Sequence, residues 1–95
     1  MKFDLKCSVS LSRDGSEAKE SVEEFFKNFG EDIKWRIDGE NLLLHIISHE
    51  KRSHQIVLQL YKRLAPIFGK HKIGMRGIHI DEYEIEFEIE KNPLH

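Results

Sequence analysis

Lys51, Arg52, Lys62, Arg63, Lys70, Lys72 and Arg76 fall close together, and no Asp or Glu interrupts residues 51–80. His54, His71 and His79 add charge to the same stretch below neutral pH. The chemistry open to such a block is anion binding. Clustered Lys and Arg hold phosphate backbones through counterion release and charge-assisted hydrogen bonds. The bland counterpart is a solvated helix face, on which Lys62 and Arg63 merely offset the helix dipole. The overall net charge of −2 hides this block. Residues 1–50 hold seven Lys/Arg against eleven Asp/Glu, and residues 81–95 hold one Lys against six acids. Charge segregated in this way bears on partners rather than on fold.

Other site chemistries find less support. Glu82, Glu84, Glu86, Glu88 and Glu90 recur at period two. Neighbouring carboxylates on one strand face stand about 6.6–7 Å apart and point in parallel. A hard cation needs ligands that converge, so these acids read as a solvated sheet face that repels RNA and orients it toward the basic block. His45, His49 and His54 are spaced four and five apart, but a strand and a helix start divide them, so no shared metal-binding face is expected. Gly69–Gly77 lacks the phosphate-loop spacing, and Cys7 has no nucleophile-elbow context. No flat run of exposed aromatics provides a stacking platform on a sheet, and Trp35 reads as core or sheet edge. The expectation is therefore no catalysis, no cofactor and no metal.

The elements that position the basic block follow from periodicity. Phe3, Leu5, Cys7, Val9 and Leu11 alternate with polar residues, which predicts a strand from Lys2 to Ser12 with one buried face. Cys7 on that face is an inert small hydrophobe. Asp14 followed by Glu17 reads as an N-cap with a capping box, and Ala18, Val22, Phe25, Phe26 and Phe29 form one helix face that stops at Gly30. Ile33, Trp35 and Ile37 alternate in a second strand, Asp38-Gly39 marks a tight turn, and Leu42–Ser48 returns as a third strand, apolar on both faces and so central. A second helix starts at Ser48 or His49 and runs to about Phe68, with the stripe Ile56, Val57, Leu60, Leu64 and Ile67 or Phe68. Pro66 tightens or kinks its final turn and Gly69 closes it. A last strand runs from about Lys72 to Glu90, with its frame shifting near Gly74–Gly77 and again near Asp81–Glu82. Such shifts indicate bulges or bends. The tail 92–95 is expected to fray.

The order βαββαβ predicts an α+β fold, a four-stranded antiparallel sheet with two helices on one face in the ferredoxin-like layout. Ninety-five residues suit a single domain, 1–95, with one modest core. No apolar run approaches the roughly 18 residues of a membrane span. The alternating N-terminus is not a signal peptide, and a single cysteine fits an intracellular, cytoplasmic chain.

The segment Leu64-Ala65, then Gly69-Lys70-His71-Lys72-Ile73-Gly74-Met75-Arg76-Gly77-Ile78, resembles the N-terminal domain of the methanogenic-type (archaeal) seryl-tRNA synthetases. That family carries a similar Lys-Ile-Gly-Ile-Arg-Gly-Ile stretch after a basic helix. The resemblance is specific over about 20–25 residues and is one of pattern elsewhere. It implies a mixed α/β domain that binds the long variable arm of serine tRNA and positions it for a class II catalytic domain. Arg76 matches the family's turn arginine and Lys62 a helix lysine, while Gln59 stands where the family has a further arginine, a loss that Arg63 and Lys70 offset. No class II motif is present in this sequence.

The expected function is thus a non-catalytic tRNA-binding module whose contacts are Lys62, Arg63, Lys70, Lys72 and Arg76, with serine tRNA as the partner that the resemblance implies. A synthetase catalytic subunit in trans and a second copy of the chain are the further partners considered. The rival reading is a protein-interaction module that pairs through its last strand. A salt titration separates the two, because several phosphate contacts make binding steeply salt-dependent.

Overall fold

A computed structural model describes residues 2–30, 32–48 and 53–86. Expectations about His49, Lys51, Arg52, Glu88, Glu90 and the tail 92–95 lie outside these residues. Strand β1 (Lys2–Leu11) leads through a 3-10 turn (Ser16–Ala18) into helix α1 (Lys19–Lys27). Strands β2 (Asp32–Asp38) and β3 (Asn41–Ser48) form a hairpin, helix α2 spans Ser53–Lys70, and β4 spans Met75–Glu86. The sheet order is β2-β3-β1-β4, and every neighbouring pair is antiparallel. The expected α+β layout is what forms.

The alternation in β1 carries through to packing. Phe3, Leu5, Cys7, Val9 and Leu11 are all buried. On the same sheet face lie Leu42, Leu44 and Ile46 of β3, under Val22 of α1 and Ile56, Val57, Leu60, Leu64 and Phe68 of α2. Leu43, His45 and Ile47 are half-buried on the other face of β3, as expected for a central strand. Trp35 lies on edge strand β2 and stacks on Phe26 of α1, with ring centroids 5.6 Å apart. Asp38 pairs with Asn41, so Gly39-Glu40 is the two-residue hairpin loop, and Gly39 takes the positive φ of 57° that its first position requires. Gly30, just beyond α1, has φ 86°.

Three local expectations are corrected. Asp14 and Glu17 form no capping box. Asp14 Oδ1 instead accepts from the Ser16 amide at 2.9 Å and the Ser16 hydroxyl at 2.6 Å. These bonds close an Asx turn and hold the Asp14 carboxyl below its usual range. Glu17 pairs with Arg13 at 3.2 Å. Ser48 does not begin α2. It is the last residue of β3 and faces Phe3 of β1.

The third correction is at the end of α2. Gly69 lies inside the helix, and the left-handed residue is Lys72, at φ 59°. The Ile73 amide donates to the Phe68 carbonyl and the Lys72 amide to the Gly69 carbonyl, each at 3.0 Å. That is the six-to-one and five-to-two pattern of a Schellman cap, completed by burial of Phe68 and Ile73 together. The chain therefore turns at 71–74, and β4 starts at Met75 rather than near Lys72. Both frame shifts expected in β4 are present as bulges. Leu11 faces Met75 and Ser10 faces Gly77, leaving Arg76 over, and Cys7 faces Ile80 and Lys6 faces Glu82, leaving Asp81 over.

Candidate nucleic-acid interface

Lys62, Arg63, Lys70, Lys72 and Arg76 are all exposed. Among the described residues, none has a carboxylate within 4.0 Å. The geometry of α2 sorts three of them. Its buried stripe faces the sheet, and residues advance by about 100° each. Arg63 and Lys70, seven apart, return to the same flank and together line the groove against α1. Lys62 lies about 100° round from Arg63, on the outward face. On the opposite flank the Tyr61 hydroxyl donates to the Met75 carbonyl at 3.2 Å, which fixes the start of β4, and hence the Arg76 bulge, alongside α2. Lys72 sits in the cap at the helix end. The five cations thus follow the C-terminal half of α2, its cap and the first bulge of β4.

Arg13 joins this band and was missed from sequence. Its guanidinium donates to the carbonyls of His71 and Lys72, the latter at 3.4 Å, while holding Glu17. It places a positive charge on the negative end of the α2 dipole. The clue was its position directly after β1, which must end where β4 begins if those strands pair antiparallel. Ser12 reinforces the junction, since its amide donates to the Gly74 carbonyl at 2.8 Å and its hydroxyl accepts from the Gly74 amide at 2.7 Å.

A second cationic set lies on the sheet face away from the helices, where Lys34 faces His45 and His45 faces Lys6 in register. Arg36 is exposed beside them. His45 Nε2 shares a 2.5 Å hydrogen bond with Asp4 Oδ1. The register sets Glu82 opposite Lys6 and Glu86 opposite Lys2, so the acidic strand borders lysines of β1 rather than standing alone. Among the described residues no group of three metal-ligating side chains converges, and no helix is long and apolar enough to cross a membrane. Edge strand β4 carries two bulges and a row of acids, which disfavour pairing with another strand.

Comparison with known proteins bears on this band. The type-2 serine–tRNA ligase of Methanothrix thermoacetophila is 34% identical over 111 residues, covering 100% of this chain and 22% of that protein. The Methanothermobacter thermautotrophicus ligase is 29% identical over 107 residues, covering 93% of the chain. Among solved structures, M. kandleri SerRS in complex with A. aeolicus tRNASec superposes with a TM-score of 0.81 at 28% identity, covering 96% of this chain and 21% of that one. The chain thus spans about a fifth of the length of these relatives, and the similarity runs well beyond the Gly69–Ile78 segment that first pointed to it. The tRNA-binding domain family matches residues 1–95, and the chain belongs to that family, in the form found in type-2 serine–tRNA ligases.

Proposed function

We propose that the chain binds serine tRNA through the α2 band, with Lys62, Arg63, Lys70, Lys72 and Arg76 contacting backbone phosphates and no bond made or broken. The observation that carries this reading is the set of five exposed cations with no carboxylate beside them among the described residues. Charges kept as structural ion pairs would have partners. Among the described residues these have none, although the chain as a whole carries more acid than base. Contacts of this kind read the shape and backbone of an RNA helix rather than base sequence, which suits the delivery of a tRNA arm to a catalytic domain. The reading places the protein in the cytoplasm with its tRNA.

A filter-binding titration of a serine tRNA transcript at several salt concentrations tests it. Five phosphate contacts predict a slope of log K against log salt of about −3.5 to −4.5. The combined reversal Lys62→Glu, Arg63→Glu abolishes binding. Binding that ignores salt, or that survives the reversal, sinks the proposal.

A further inference from the structure

The groove between α1 and α2 contains more than cations. It is an open cleft of about 380 Å³, within the size range of small-ligand clefts. Arg63 and Lys70 stand on its α2 side, and Phe25, Asn28 and Phe29 on its α1 side. The apolar stripe that starts in α1 runs on into the turn after it, packed at the edge of the core. Val22 is fully buried, but Phe25 and Phe29 remain half-exposed, with ring centroids 5.4 Å apart. The Arg63 guanidinium lies over the Phe29 ring, 5.9 Å from its centroid. The guanidinium and the ring adjoin in one groove, and unpaired bases stack on both kinds of surface.

We infer that this groove is a subsite for one unpaired nucleotide of the bound RNA. Its base stacks on the Phe29 ring beside the Arg63 guanidinium, and Lys70, two helical turns from Arg63, holds a flanking phosphate. Asn28 donates through its side-chain amide to the Glu24 carbonyl at 3.1 Å, which leaves its side-chain oxygen available to accept from an exocyclic amine of the base. The Glu24 carboxylate, also in the groove, disfavours a phosphate there and suits a base edge. The inference rests on the tRNA-binding reading and adds a contact that is not ionic. A paired helix cannot supply it, because its bases are stacked on one another. The partner recognised is therefore RNA that carries an unstacked nucleotide next to a helix.

The test compares Phe29→Leu, Phe29→Tyr and Arg63→Ala with the unmodified 95-residue chain, on a serine tRNA transcript and on a fully paired RNA duplex. Leucine preserves the apolar packing of Phe29 and removes the ring face. Phe29→Leu is expected to weaken tRNA binding by about five- to 150-fold, the range of one base–aromatic stack, with the salt slope and the duplex affinity unchanged. Phe29→Tyr restores tRNA binding. Arg63→Ala weakens both RNAs and lowers the slope. Unchanged tRNA binding by Phe29→Leu, with Arg63→Ala still impaired, overturns the subsite and leaves the phosphate-binding reading standing. Equal loss of tRNA and duplex binding by a Phe29→Leu chain with an unchanged melting midpoint also overturns it. Failure of the unmodified chain to bind either RNA overturns the phosphate-binding reading itself.

Discussion

The Arg13 guanidinium reaches across from the end of β1 to the carbonyl of Lys72, at 3.4 Å, and so caps helix α2 from another element. Lys72 itself is held at φ 59°, a left-handed conformation that costs a residue with a side chain about 1–2 kcal/mol. Glycine usually occupies this position of a Schellman cap. A lysine there combines a strained backbone with an exposed cation at the helix end. Lys72→Gly should therefore raise the melting midpoint, with a gain of about 1 kcal/mol. The same substitution should weaken serine tRNA binding and reduce the salt slope by about one contact. A variant that is both less stable and no weaker in binding would mean that Lys72 serves the fold and not the ligand.

Cys7 gives a pH prediction. It is buried in β1, and loss of solvation, helped by the nearby Asp81 carboxylate, pushes its thiol up to about 11 from an ordinary 9.0. The folded state therefore holds this proton more tightly than the unfolded chain. Its contribution is complete below about pH 9 and is lost as pH rises toward 11, by about 2 kcal/mol in all. Denaturant midpoints of the natural chain should fall more steeply over that window than those of Cys7→Ala. In the folded protein at pH 8, iodoacetamide should leave the thiol untouched until denaturant is added. Parallel pH profiles, or rapid labelling without denaturant, would show that the thiol is not held in the core.

Much of this architecture was legible in the residues themselves. Five apolar residues at period two can only be one buried face, and β1 buries all five. The two frame shifts in β4 were visible because a bulge moves every later side chain to the other face, and the structure leaves Arg76 and Asp81 over at those places. What was hidden depended on contacts distant in sequence. The helix ends where Phe68 and Ile73 bury together, so the left-handed position falls on Lys72 rather than on Gly69, and nothing in the local sequence marks a lysine for it. The capping box failed because Asp14 closes a shorter turn with Ser16, and Glu17 prefers the Arg13 guanidinium. The band of cations could be listed from sequence, but its division into two flanks of α2 required the Tyr61–Met75 hydrogen bond. The aromatic residues of α1 read as core because periodicity assigns a face, not a depth.

Trp35 offers an internal control for any stacking argument. Its ring lies nearly parallel to that of Phe26, at 20° between planes, so that face is occupied within the fold. Saturating serine tRNA should leave Trp35 emission within a few per cent of its starting intensity. Strong quenching would move the stacking site from the helix groove to edge strand β2. Trp35→Phe should retain full tRNA affinity.

Arg76 carries the sharpest prediction. It is the extra residue of the first β4 bulge, with no Cα partner on β1, and its side chain is exposed with no carboxylate within 4.0 Å among the described residues. Neither flanking glycine adopts a positive φ, so the bulge, rather than glycine freedom, sets Arg76 apart from the ladder. Its neighbour Met75 is anchored twice, by the Tyr61 hydroxyl on its carbonyl and by pairing with Leu11, which gives the arginine a rigid base beside α2. An arginine so placed can grip a phosphate with two parallel hydrogen bonds, which lysine cannot reproduce. Arg76→Ala should weaken serine tRNA binding by about 1–3 kcal/mol, the range for hydrogen bonds to charged groups. It should alter stability by no more than about 0.5 kcal/mol, as exposed substitutions usually do. Arg76→Lys should recover the salt slope but only part of the affinity. Unfolding of Arg76→Ala would assign the residue to the fold instead. Unaltered tRNA binding, with Lys62→Ala abolishing it, would move the contact from the bulge to the outward face of α2.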